Sequence, residues 1–97
     1  MKRSDFLFTI GYQGDVAIVD RAAAFEYGSL NTSELIEKGL FKAAFCSALY
    51  SEDQAELVHV MESYNQLSGA SYKNVEQIKR LFGVYQKPLE NYKIKYI

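Results

Sequence analysis

Two side chains carry the nucleophilic and general-base chemistry available near neutral pH, and each occurs once: Cys46, within Ala44-Phe45-Cys46-Ser47-Ala48, and His59, within Leu57-Val58-His59-Val60-Met61. A thiol attacks as its thiolate, so the pair would act only if the fold joined them and a base activated the sulfur. The apolar setting of Cys46 reads instead as a small buried residue. His59, with Glu56 and Glu62 at most a helical turn away, reads as a helix-surface histidine. One histidine and one cysteine do not make a zinc site without several carboxylates, so no metal and no other cofactor is expected. The segment Gly11-Tyr12-Gln13-Gly14-Asp15 has two glycines but neither a dinucleotide-binding nor a phosphate-loop pattern. It reads as a hairpin loop, with Asp15 supporting the turn. An enzyme using His59 or Cys46 is therefore the least favoured of the functional readings.

Nucleic-acid binding calls for cations that reach phosphates and for rings that stack on bases. Residues 1–69 hold five basic and ten acidic side chains, net −5, whereas residues 70–97 hold six basic and two acidic, net +4. Within the basic part, Lys79, Arg80, Tyr92, Lys93, Lys95 and Tyr96 form a candidate partner-binding set. Lysines on an edge strand also guard against aggregation, and tyrosines at period two commonly form the core side of a sheet, so this nucleic-acid reading is an alternative and not the favoured one. A second arrangement, Asn31 to Leu49 with Gly39 at its turn, has the outline of a helix-turn-helix. Its second helix would offer only Lys42 and Ser47 to a duplex, from the acidic part of the chain, so two core helices meeting at a glycine is the better reading.

The elements that would hold these residues follow from patterning. The chain has 97 residues, 48% hydrophobic and 24% charged, with a net charge of −1, which suits one compact domain spanning residues 1–97. Eight tyrosines and six phenylalanines, with no tryptophan, imply a ring-rich core whose hydroxyls need partners. The single cysteine excludes an internal disulfide and fits a reducing cytoplasm. Asp5 interrupts the approach from the two basic residues, the apolar run Phe6 to Ile10 is too short for a signal peptide, and no run reaches the length of a membrane span, so a soluble intracellular protein is expected.

Asp5 to Ile10 and Val16 to Asp20 are aromatic and β-branched, and predict a hairpin. Asp20 caps a short helix over 21–27 that Gly28 ends; Asn31 and Glu34 form a capping box for 32–38, stopped at Gly39. The run 40–50 is apolar nearly all round and belongs near the centre of the fold. Ser51 opens an amphipathic helix over 52–66, and a further helix over 73–82 ends at Gly83. Pro88 interrupts the chain, after which Tyr92, Ile94 and Tyr96 alternate with Lys93 and Lys95 as in a half-exposed strand.

The expected fold is α+β: a small three-stranded, mainly antiparallel sheet, made from the N-terminal hairpin and the C-terminal strand, packed against four or five helices. The predicted core is Phe6, Phe8, Ile10, Val16, Ile18, Phe25, Leu35, Phe41, Phe45, Leu49, Leu57, Val58, Met61, Tyr64, Ile78, Leu81 and Ile94. Abundant tyrosines, a first strand apolar on both sides and the divided charge favour a non-catalytic protein-interaction or regulatory module, with a protein partner or a homodimer and no membrane.

Overall fold

In the computed structural model, which describes residues 1–84 and 92–97, the chain folds as a three-stranded sheet and six helices among the described residues. Pro88 and Asn91 lie outside them. The order is α1 (Arg3–Leu7), β1 (Thr9–Gln13), β2 (Val16–Val19), α2 (Arg21–Tyr27), α3 (Thr32–Glu37), α4 (Phe41–Tyr50), α5 (Gln54–Ser68), α6 (Val75–Phe82) and β3 (Lys93–Tyr96). The α+β class and the joining of both termini in one sheet are as expected from the sequence.

β1 and β2 form the antiparallel hairpin, turning at Gly14 and Asp15; β3 lies on the far side of β2 and runs parallel to it. The register pairs Ala17 with Ile94 and Val19 with Tyr96, and Val16 with Lys93 and Ile18 with Lys95. Because side chains alternate along a strand, Ile94 and Tyr96 share the face of the fully buried Ala17 and Val19, and the two lysines share the other face. The period-two pattern of the tail is thus realised in the sheet.

The beginning of the chain departs from expectation. Residues 3–7 are helical and the strand begins only at Thr9, so the alternation of Phe6, Phe8 and Ile10 is not a strand face. Tertiary contacts override the local pattern: Phe6 and Leu7 enter the helical core, and Arg3 is fastened to the loop after α2. A register shift between Thr9 and Gly11 then leaves Ile10 at an irregularity of the ladder and 55% exposed.

α4 is the hub of the core. Eight of its ten residues are buried, which accounts for its nearly continuous apolar sequence and leaves it no face to offer a nucleic-acid groove. Around it Phe45 meets Phe82, and Tyr64 meets both Phe41 and Phe82 edge-on, at ring separations of 5.4 to 5.8 Å. α3 carries the full Asn31–Glu34 capping box, and Gly39 follows it at φ +75°, a backbone setting that favours glycine. Two helix starts shift from expectation. Ser51 donates back to the carbonyls of Ser47 and Ala48, closing α4, so Asp53 caps α5 instead, and Asn74 caps α6.

Leu35, Phe41, Phe45, Leu49, Leu57, Met61, Ile78 and Phe6 are buried as expected. Val58 and Leu81, expected in the core, are 39% and 42% exposed. Phe25, expected in the core, is 92% exposed.

Candidate functional site

The site is built where α1 crosses α2. The chain can approach so closely there because residue 28 is glycine: a Cβ would stand 2.6 Å from the Ser4 Cβ and would also meet the Ala24 carbonyl. Gly28 has φ −67°, so its role is close approach and not backbone freedom. Arg3 fixes the crossing. Its Nη1 donates to the Gly28 carbonyl at 2.9 Å, and its Nη2 donates to the Leu30 carbonyl at 2.6 Å and to Ser47 Oγ at 2.7 Å.

From Ser47 the bonding continues inward: Ser47 Oγ lies 2.8 Å from Thr32 Oγ1, which lies 2.9 Å from Glu56 Oε2. Each hydroxyl has one proton, and an ionised carboxylate only accepts. Thr32 must therefore donate to Glu56 and accept from Ser47, which in turn accepts from Arg3. Every proton in the chain points from the guanidinium towards the carboxylate, across two hydroxyl residues that are each 4% exposed. This arrangement ties α1, α3, α4 and α5 together beside the α1–α2 crossing.

Outside that crossing lies a cleft of about 610 Å³, bounded by α1, α2 and the end of β3. Asp5 lines it, although the residue is only 4% exposed. Tyr96 Oη donates to Asp5 Oδ2 at 2.9 Å, linking the last strand to the first helix. The backbone continues that link, because Ile97 N donates to the Val19 carbonyl and Arg21 N donates to the Ile97 carbonyl. Lys2 and Arg21 also line the cleft, and among the described residues neither side chain has a hydrogen-bond or ion-pair partner.

Accepting the phenol proton, the Asp5 carboxylate raises the Tyr96 pKa above its ordinary value; burial and the carboxylate charge act in the same sense, and Arg21 opposes them. A raised native pKa gives stability that is complete below the unfolded tyrosine value, near 10, and is lost as pH climbs through the folded value. Stability should accordingly fall in alkali, and Asp5→Asn should bring one tyrosine titration down towards its ordinary range. Phenolate ultraviolet absorbance across alkaline pH checks this; an unchanged titration in the variant would break the assignment.

The remaining wall of the cleft is α2, a helix without a single buried residue. Its inner side is formed by Ala23, Ala24 and Tyr27, with the Tyr27 ring 6.3 Å from that of Phe8. Its outer side presents Arg21, Ala22, Phe25 and Glu26, all exposed.

The basic set read from the sequence is dispersed. Lys79 pairs with Glu76 on its own helix at 3.4 Å, and Arg80 is exposed beside it. Lys93 pairs with Asp15 of the hairpin turn at 3.8 Å, and Lys95 is exposed on the same sheet face. The Tyr92 ring packs on Tyr12 at 4.9 Å, whereas Tyr96 joins the cleft. Of the six residues, only Tyr96 contributes to the cleft. Lys2, Asp5, Arg21 and Phe25 were not singled out as site residues from the sequence; the one available signal was an acidic residue, Asp5, immediately before the apolar run Phe6-Leu7-Phe8.

His59 is exposed and makes no hydrogen bond to Cys46, whose thiol burial pushes up to about 12 against the smaller opposing effect of Lys42. At neutral pH that sulfur is a thiol, not a nucleophile. No group of three or more histidine, cysteine or acidic side chains among the described residues is placed to hold a metal ion, and no helix among them is long and apolar enough to cross a membrane. No known protein family, curated protein or solved structure matches this chain.

Proposed function

We propose that this chain is a non-catalytic protein-interaction module that docks through the outer side of α2 and the adjoining cleft. The observation that carries the reading is Phe25, a phenyl group 92% exposed on a helix whose own fold buries none of its residues. An exposed ring of this size, next to an unpaired arginine and a tyrosine, has the composition of an interface centre, where aromatic residues and arginine are enriched. The crossing behind it, fastened by three Arg3 hydrogen bonds, supports the same reading, because a preorganised surface loses less entropy on binding. The buried, protonated Cys46 fits work in a reducing compartment such as the cytoplasm. The nucleic-acid alternative gains nothing comparable, since Lys79 and Lys93 already face carboxylates of this chain.

Phe25→Ser tests the observation itself. A ring held for docking contributes nothing to folding, so the denaturation midpoint should correspond to a stability within about 0.5 kcal/mol of the parent chain, the usual range for a surface change. A loss of about 2 kcal/mol or more would make Phe25 a structural residue and remove the support for this reading.

A further inference from the structure

The partner of α2 can be named by chemistry, given the docking role proposed above: we infer that it is α2 of a second copy of this chain, packed in parallel about a two-fold axis. The helical period places Arg21, Ala22, Phe25 and Glu26 on one stripe. These residues occupy, in order, the g, a, d and e positions of a heptad, with apolar Ala22 and Phe25 in the centre and the charges on the two flanks.

A two-fold axis parallel to the helices sets the g flank of each against the e flank of the other. In that arrangement a g residue meets the e residue five positions later in its partner, and Arg21 and Glu26 are five positions apart. Two copies therefore form two reciprocal Arg21–Glu26 ion pairs around a centre of paired Phe25 rings and paired Ala22 methyl groups. An antiparallel pair would instead set each flank beside its own kind.

Three further features fit a second copy. Neither Arg21 nor Glu26 has a side-chain hydrogen-bond or ion-pair partner among the described residues, so both are free to form the pairs. Arg21 lines the cleft together with Lys2, so the incoming Glu26 approaches a wall that carries two cations beside the buried, tyrosine-bonded Asp5. The net charge of −1 leaves only slight long-range repulsion between copies. With only seven residues in α2, the association is weak and concentration-dependent.

Sedimentation equilibrium of the full chain, from about 10 μM to about 1 mM, decides the matter. The parent chain should shift reversibly from monomer to dimer, and less so as salt rises. Arg21→Glu and Glu26→Arg each set like charges together at both pairs, and each should weaken the dimer by about tenfold or more. The double variant restores both pairs with reversed polarity and should regain most of the parent affinity. Both positions are exposed, and a thermal melt of each variant establishes that it is folded. A monomer at every concentration would overturn self-association, as would a dimer indifferent to these changes or a double variant no better than the singles. Those results leave open whether Phe25 docks on a different protein, which cross-linking at that position reads separately.

Discussion

Arg3→Met should lower stability by about 3 kcal/mol, which for a domain of this size is a fall in melting temperature of roughly 10–25 °C. Methionine keeps the apolar stem and removes the fork. Three acceptors then lose their donor together: the Gly28 and Leu30 carbonyls and the Ser47 hydroxyl. Arg3→Lys should recover only part of the loss, because one ammonium group does not reproduce a planar donor set that spans three acceptors on two segments. The order of protons adds a finer expectation. Glu56→Gln retains a carbonyl acceptor for Thr32 and should be mild, whereas Ser47→Ala interrupts the chain in its middle and should be the more damaging of the two. Thermal melts of the four variants check the ranking, and equal effects of Glu56→Gln and Ser47→Ala would refute the proton order.

Removing residues 89–97 should be at least as severe, abolishing the cooperative transition or lowering its midpoint by more than about 15 °C. The deletion takes away β3, uncovers the edge of β2, breaks the Tyr96–Asp5 bond and removes the acceptor of the Arg21 amide. A two-stranded hairpin would remain, which is marginal alone, and Asp5 would remain without the hydroxyl that satisfies its carboxylate. The sharper comparison is Tyr96→Phe, which keeps the strand and the ring but not the phenol proton. It should show a smaller loss and should remove the stability decline in alkali that Tyr96 causes. A truncated chain that melts like the parent would mean that the sheet does not need its third strand.

These expectations rest on parts of the molecule that the sequence discloses unequally. Helix ends were legible where a cap is a local chemical event: Asp20 and Asn31 each accept from the backbone amide three residues on, and three-residue spacing is visible in a sequence. The centrality of α4 was legible because a helix apolar all round has only one place to go. α1 was not. Asp5 to Ile10 has the composition of a strand, and it begins as a helix because Arg3 finds its acceptors 25, 27 and 44 residues away, a separation that no local pattern reports.

The cleft was hidden for the same reason. Its carboxylate and its phenol, Asp5 and Tyr96, are 91 residues apart and meet only because β3 runs parallel to β2. Phe25 was placed in the predicted core as a large apolar residue, a type ordinarily buried. What decides otherwise is which side of α2 receives Tyr27, since the Phe8 ring takes that tyrosine and the rotation it sets turns Phe25 outward. The exposed ring is thus a consequence of a packing choice made elsewhere in the fold, and its use is a matter of function.

That use is read most directly by placing a photoreactive amino acid at position 25 of the intact chain in the cells that produce it, with the exposed position 59 on α5 as control. The expected result is a discrete covalent adduct from position 25 and none from position 59, with mass spectrometry of the adduct giving the partner: twice the chain mass for a second copy, another mass for a different protein. Irradiation that yields no adduct at position 25, or the same adducts from both positions, would contradict the account of α2 as a docking surface.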